Sequence, residues 1–213
     1  VAKLQATRTG EKGAHEKENP EKEETTHFSV MDSAGNAIAF TVTLNGSYGS
    51  GLVTPEFGVA LNNEMDDFTA HPGEPNMFGL IQGEANKVRP GARPLSSMSP
   101  TIIEKEGRTV FAIGAPGGPK IISSVLQVMN RLILKNLDVE QAIRTQRVHH
   151  QFLPDVITID PDRFSPEVLA LLKARGHKIE TGSTGRVYAI SLSTDGILSA
   201  AFDDRGEGGA GGF

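Results

Sequence analysis

Apolar residues recur along this chain with two different periods, and the change of period marks its elements. From His27 to Asp32, and again from Ala37 to Leu44, apolar and polar positions alternate among β-branched and aromatic residues. That is the period of a strand with two unlike faces. Ser33-Ala34-Gly35-Asn36 between the two runs is turn chemistry, so the pair predicts a β-hairpin. Phe57 to Leu61, Thr101 to Ile103 and Val110 to Ile113 are shorter apolar runs and read as strands. From Ile121 the spacing changes. Ile121, Ile122, Val125, Leu126, Met129, Leu132 and Ile133 recur at helical intervals and predict one apolar face. Val139 to Arg144 predicts a short second helix. Ser165-Pro166-Glu167 supplies an N-cap, a proline at the first helical position and an acidic first turn, opening a third helix that ends at Gly176. Arg186 to Leu192 and Ile197 to Phe202 flank Ser193-Thr194-Asp195-Gly196, a second hairpin. The expectation is a mixed α/β chain built on antiparallel hairpins.

Two stretches keep no period. Residues 1–24 hold five Lys/Arg and six Glu with few apolar groups, too little to offset chain entropy, and are expected to form a disordered or linker segment. Residues 69–94 are rich in Pro, Gly and Asn; so long a loop in a compact domain is either disordered or functional. The 213 residues suffice for one sizeable core, which assigns residues 25–213 to a single domain.

Charge and composition narrow the partners. A net charge of −5 argues against nucleic acid or an anionic membrane surface. No apolar run approaches the roughly 20 residues that cross a bilayer, and residues 1–24 lack the apolar core of a signal peptide. The chain begins at Val1 rather than Met and so reads as a processed or excised piece, which leaves any export signal upstream. The absence of cysteine excludes disulfides, thiol catalysis and thiolate metal sites.

Candidate chemistry starts where the charged segment meets the first strand, at Glu24-Thr25-Thr26. If the chain is cut before Thr25, that residue carries a hydroxyl and a free α-amine together, so nucleophile and base share one residue. The first hairpin returns Thr43 and Asn45 to Thr25, since opposed antiparallel positions lie about 5 Å apart. Two threonines packed as a cross-strand pair fit the same spacing. Glu64, Asp66 and Asp67 leave the third strand together. Such carboxylates are ordinarily solvated; no histidine is near and the spacing matches no calcium loop, so no metal is expected. Gly117 and Gly118 precede the long helix. They read as a tight strand-to-helix turn or as an anion site, whereas Pro119 rules out a P-loop. Ser96 and Ser97 read, unaided, as a serine turn. His149 and His150 are sequence neighbours that point apart and read as structural or interface residues.

Five stretches decide between these readings: Thr25-Thr26-His27-Phe28-Ser29, Thr43-Leu44-Asn45, Asn62-Asn63-Glu64-Met65-Asp66-Asp67-Phe68, Arg93-Pro94-Leu95-Ser96-Ser97-Met98-Ser99-Pro100-Thr101, and Gly114-Ala115-Pro116-Gly117-Gly118. In this order they resemble the small subunit of the γ-glutamyltranspeptidases (glutathione hydrolases), which are N-terminal-nucleophile hydrolases, and they span nearly all of residues 25–213. The resemblance implies an α+β fold, the small-subunit part of a four-layer α-β-β-α sandwich with antiparallel sheets. It implies γ-glutamyl transfer and hydrolysis through a γ-glutamyl-enzyme on Thr25, freed by autocleavage of the Glu24–Thr25 bond. Thr43 would orient the nucleophile and Gly117 and Gly118 would form the oxyanion hole. Asn45, Glu64 and Asp67 would hold the substrate α-amino group, and Ser96 and Ser97 its α-carboxylate. The implied partners are a glutathione-like γ-glutamyl substrate, water or an amino-acid acceptor, and the large subunit of the same precursor, which in the family carries an arginine for the α-carboxylate. No metal or organic cofactor is implied, and the compartment is periplasmic or extracellular. This chain departs from the pattern at Phe78, where a lid tyrosine is usual, and at Asp203-Asp204-Arg205, where Asp-Pro-Arg is usual. The alternatives are an inactive isolated half, an interaction domain that keeps the fold, or a hydrolase of poly-γ-glutamate.

Overall fold

The computed structural model describes residues 25–212, so the expectation for residues 1–24, including Glu24, lies outside the described residues. In chain order the strands are β1 (Thr25–Met31), β2 (Ala37–Thr43), β3 (Thr101–Lys105), β4 (Arg108–Gly114), β5 (Val148–His149), β6 (Ile157–Ile159), β7 (Ile179–Thr181), β8 (Tyr188–Leu192) and β9 (Leu198–Phe202). The helices are α1 (Lys120–Leu134), α2 (Val139–Arg144) and α3 (Pro166–Ala174).

The first hairpin forms as predicted. β1 and β2 pair antiparallel from Thr25↔Thr43 to Met31↔Ala37. Asp32 closes the turn, its Oδ1 accepting the N–H groups of Ala34 at 3.0 Å and Asn36 at 2.9 Å. A four-stranded antiparallel sheet runs β3-β4-β8-β9, and the predicted second hairpin is its β8–β9 pair. Helices α1 and α2 cover one face of that sheet, and Ile113, Ile121, Val128, Leu132, Ile143 and Val187 form the core between them. On the other face the β1–β2 ribbon packs through Met31, Ala112 and Leu192. The order of layers is therefore helix, sheet, ribbon.

Four expectations need correcting. Phe57 to Leu61 is not a strand: a single bridge joins Val53 to Ala60, Gly58 turns at φ 64°, and Phe57 and Val59 are exposed. A strand needs a continuous ladder and a face to bury. Among the described residues this run is tied only to residues 50–54, with the Leu61 N–H donating to the Leu52 carbonyl and the Thr54 N–H to the Val59 carbonyl, each at 2.9 Å, and its apolar side chains stay exposed. A three-stranded sheet β5-β6-β7 was unforeseen, because strands of two or three residues show no period. Its β6–β7 pair is parallel, so the sheets are not all antiparallel. On α1 the buried face is narrower than the apolar stripe: Ile121, Val125, Val128 and Leu132 are buried, while Ile122, Leu126 and Ile133 are about half exposed.

The hairpin also inverts the usual polarity. Thr25, His27, Thr41 and Thr43 face the sheet, whereas Phe28, Val30, Ile38, Phe40 and Val42 face outward. Phe28 and Phe40 pair across the strands on that outer face, 5.2 Å between ring centroids. His27 is the wedge beneath. Its Nδ1 lies 2.8 Å from Thr41 Oγ1 and its Nε2 3.0 Å from Ser29 Oγ, and it stacks on Tyr188 of β8. A Cβ on Gly114 would fall 2.8 Å from Nε2 and nearer still to two other ring atoms, so only glycine admits the ring there.

Burial lowers the His27 pKa from 6.5 to about 4, so the ring is neutral at pH 7. A histidine whose pKa is depressed by folding contributes stability that is present above pH 6.5 and lost as pH falls towards 4. The stability advantage of the native chain over His27→Gln should therefore shrink by on the order of 3 kcal/mol between those limits, measured by urea unfolding. A pH-independent difference would refute the neutral wedge.

Candidate active site

Thr25 sits at the first position of β1, buried, opposite Thr43 at the last position of β2. The pairing places a hydrogen bond of 3.0 Å from Thr25 Oγ1 to Thr43 Oγ1. Thr43 Oγ1 also accepts the N–H of Asn45 at 2.9 Å, so its lone pairs are directed by two donors. Asn45 holds φ 75°, a left-handed conformation that asparagine tolerates better than most residues. That turn leaves its side chain buried, with Nδ2 3.4 Å from the carbonyl oxygen of Asn63 and 3.8 Å from the sulfur of Met77.

The three carboxylates lie on a single 3-10 turn, Glu64–Asp67. Asp66 faces away and accepts the N–H of Met77 at 3.0 Å, anchoring the 69–94 loop. Glu64 and Asp67 face the cleft. Asp67 is pushed up to about 7, first by burial, then by its hydrogen bond with Glu64 and the like charges of Glu64 and Asp66. The 69–94 loop is shaped by its own contacts: the Asn76 side chain accepts the N–H groups of Phe78 and Leu80, each at 3.0 Å.

β4 ends at Gly114, and the chain turns through Ala115 and Pro116 into Gly117 (φ 137°) and Gly118 (φ 52°), conformations that favour glycine at both positions. Among the described residues neither the Gly117 nor the Gly118 N–H has a hydrogen-bond acceptor. Thr25, Thr43, Asn45, Glu64, Asp67, Ser96, Ser97 and Gly118 line one cleft of about 30 Å³, with Phe78 and Met98 also on its wall. Gly117 lies one residue behind, buried. The site residues named from the sequence therefore line this cleft, apart from Gly117, which adjoins it in sequence, and Glu24, which is outside the described residues. A larger cavity, about 500 Å³, opens on the other side of Thr25 between β1, Arg186, Tyr188 and the glycine-rich segment after Gly208.

Sequence reasoning missed two supports. Asn63 holds the Asn45 turn from below, its carbonyl taking the Asn45 amide and its Oδ1 taking the Gly46 N–H at 2.8 Å. Its place before an acidic turn was the available signal. Met77 closes over both amides, with Nδ2 of Asn45 and of Asn63 each 3.8 Å from its sulfur, and nothing in its neighbourhood marked it. The paired histidines do diverge: His149 bonds Ser123 and Gln151, and His150 bonds Asp155. Among the described residues no set of three His, Asp or Glu side chains is arranged to hold a metal ion.

The comparisons fit this geometry. Solved relatives superpose over the described architecture. The γ-glutamyltranspeptidase of Pseudomonas nitroreducens complexed with L-DON matches at TM-score 0.83 and 42% identity, covering 88% of this chain and 99% of that one. An acivicin-inhibited γ-glutamyltranspeptidase, whose C-terminus is described as critical in autoprocessing and catalysis, matches at 0.81 and 42%, covering 85% and 99%. The fold is thus the α+β fold of N-terminal-nucleophile hydrolases, of which the described residues supply one helical layer and two sheet layers. The Gamma-glutamyltranspeptidase family model matches residues 2–213, and the chain belongs to that family. The glutathione hydrolase proenzyme of Escherichia coli K12 is 48% identical over 186 residues, 87% of this chain and 32% of that protein. The chain spans about a third of the length of such curated relatives.

The shared proton at Asp67 has a measurable consequence. A ligand ammonium entering this corner favours the ionised carboxylate and must expel the proton. In the ammonium-binding role that the sequence resemblance implies for Asp67, affinity for L-glutamate should rise about tenfold per pH unit below 7 and level off above it, with proton release visible as a buffer-dependent heat in calorimetry. Asp67→Asn should weaken binding and remove the slope. A flat profile in the unaltered protein would refute the assignment.

Proposed function

We propose that this chain is the catalytic part of an enzyme that transfers the γ-glutamyl group of glutathione-like compounds to water or an amino acid. The observation that carries the reading is the 3.0 Å contact between Thr25 and Thr43 at the wall of a cleft that also holds two carboxylates, two serines and a diglycine turn. Thr25 Oγ attacks the γ-carbonyl carbon, and its proton passes to the Thr25 α-amine, whose reference pKa of about 7.7–8.0 suits transfer near neutrality. The oxyanion is met by Gly117 and Gly118, where one such donor is worth about 2.7–4 kcal/mol. The C–N bond breaks, the leaving amine takes the proton, and the γ-glutamyl ester on Thr25 is released by the acceptor. Asn45, Glu64 and Asp67 bind the substrate ammonium, which in a buried pocket needs negative charge and acceptors. Ser96 and Ser97 donate to the α-carboxylate. Thr43 orients the nucleophile.

The same hydroxyl would create its own base. In the uncut chain Thr25 Oγ attacks the Glu24 carbonyl, the acyl group shifts from nitrogen to oxygen and so frees the amine, and water then hydrolyses the ester, releasing the Glu24 carboxylate and restoring the hydroxyl. The domain from residue 25 onward would act with a large subunit. Phe28, Val30, Ile38, Phe40 and Val42 offer that partner an apolar face, and it would supply the arginine that a buried carboxylate wants beside two neutral serines. The same uncovered face supports the second reading, a half-enzyme that is silent until the large subunit joins it.

Thr25→Ala should leave the chain uncut, by intact mass and N-terminal sequencing, and should lower turnover of a γ-glutamyl anilide by at least about 10⁴-fold. The assay is run on the chain alone and with a co-expressed large subunit. Normal turnover by Thr25→Ala would overturn the proposal, with Thr26 the next nucleophile to test.

A further inference from the structure

The two donors proposed for the oxyanion hole are held by different means. A peptide unit is planar and trans, so its carbonyl and its N–H point in opposite directions, and fixing one fixes the other. The Gly118 N–H shares its peptide with the Gly117 carbonyl, which accepts the Lys120 N–H at 3.1 Å. That donor is therefore set locally, by the start of α1. The Gly117 N–H shares its peptide with the Pro116 carbonyl, which accepts the N–H of Arg186 at 3.1 Å. That donor is set by a residue seventy positions away.

The segment carrying Arg186 is itself fixed at each residue. Thr184 Oγ1 donates to Asp160 at 2.5 Å, the Gly185 N–H donates to Ser124 Oγ at 3.1 Å, and the Gly185 carbonyl accepts Arg147 Nη2 at 2.7 Å. Val187 N–H donates to Asp203 at 2.9 Å. Thr184, Ser124, Arg147, Asp160 and Asp203 are all buried, and Arg205 closes the cluster on Asp160 at 2.6 Å. The approach to the turn is tight: a Cβ on Gly185 would stand 3.1 Å from the Pro116 oxygen and 3.1 Å from Ser124 Oγ.

We propose that residues 184–186 are a positioning strap for the oxyanion site, gripping the Pro116–Gly117 peptide from behind and so aiming the Gly117 N–H at the developing negative charge. The hydrogen bond from Arg186 also polarises that peptide and makes its N–H a better donor, since linked hydrogen bonds reinforce one another. Thr184, Gly185 and Ser124 do not line the cleft; they act through the peptide plane. The inference rests on the acyl-transfer reading for its consequence and on geometry alone for its mechanics.

The test uses Gly185→Ala, whose added methyl pushes the strap off the Pro116 oxygen, and Thr184→Val, which removes its tie to Asp160. Thr184→Ser keeps the hydroxyl and serves as the conservative control. All are prepared with the co-expressed large subunit. An interaction made only in the transition state lowers kcat and leaves KM in place. Gly185→Ala and Thr184→Val should lower kcat roughly tenfold or more, a part of the 10²–10³ lost when such a donor is removed outright. KM should stay within about twofold, since only the transition state feels the donor. Affinity for a glutamate analogue bearing a boronic acid at the γ position, a tetrahedral mimic, should fall by the same factor, while affinity for L-glutamate is unchanged and Thr184→Ser restores both. General damage to the fold would weaken both ligands alike and overturn the proposal. Amide NMR supplies an arm that needs no turnover: the Gly117 N–H resonance, which senses the hydrogen bond to its peptide carbonyl, should shift in both variants, and that of Gly118 should not. Equal shifts at the two glycines sink the strap even in an active enzyme. Absent turnover in the unaltered protein instead sinks the functional reading, and leaves the NMR arm to decide the mechanics.

Discussion

Everything at the site depends on how closely β1 approaches β4, and that distance is set by one imidazole lying on one glycine. His27 touches three strands at once: it bonds Thr41 on β2, covers Gly114 on β4 and stacks on Tyr188 of β8. Two residues before it on β1 is Thr25; three residues beyond Gly114 is Gly117. The ring therefore spaces the candidate nucleophile from the candidate oxyanion donors without contacting either. Its neutrality matters, because a charged ring at this depth would need a counter-ion that no neighbour among the described residues supplies.

Charge is handled differently in the two halves of the molecule. Behind the diglycine turn, Arg147, Arg205, Asp160 and Asp203 neutralise one another through short, mostly buried contacts, which is the condition under which burying ions is tolerable. In the cleft, Glu64 and Asp67 have no ion-pair partner among the described residues, and burial pushes the Asp67 pKa up to about 7. The first arrangement balances its charges internally, although Nε of Arg147 and of Arg205 has no hydrogen-bond partner among the described residues. The second would be completed by a positive group, in keeping with the ammonium-binding role proposed for it.

Much of this was legible in the sequence, and the reasons are local. The hairpin register followed from two alternating runs and a four-residue turn, so the Thr25–Thr43 contact could be anticipated from pairing alone. The long helix and its glycine turn announced themselves by a change of period. What stayed hidden depended on tertiary context. Phe57 to Leu61 has strand composition but, among the described residues, only one isolated bridge and no sheet edge to join. Strands β5 to β7 are too short to show a period. Met77 reaches the amides of Asn45 and Asn63 from a loop whose path no pattern predicts. Alternation located two faces on the hairpin, yet could not tell that the polar one turns inward.

That inversion has an effect in time as well as in space. A lone two-stranded ribbon is marginal in water, and this one holds Phe28, Val30, Ile38, Phe40 and Val42 against solvent on one side. Under the assembly proposed above, the strand bearing the reactive hydroxyl gains its last increment of rigidity only when that side is dried by a second surface. Wetting then works as a clock: the hydroxyl acquires a fixed address late, after the surroundings able to direct its attack are in place.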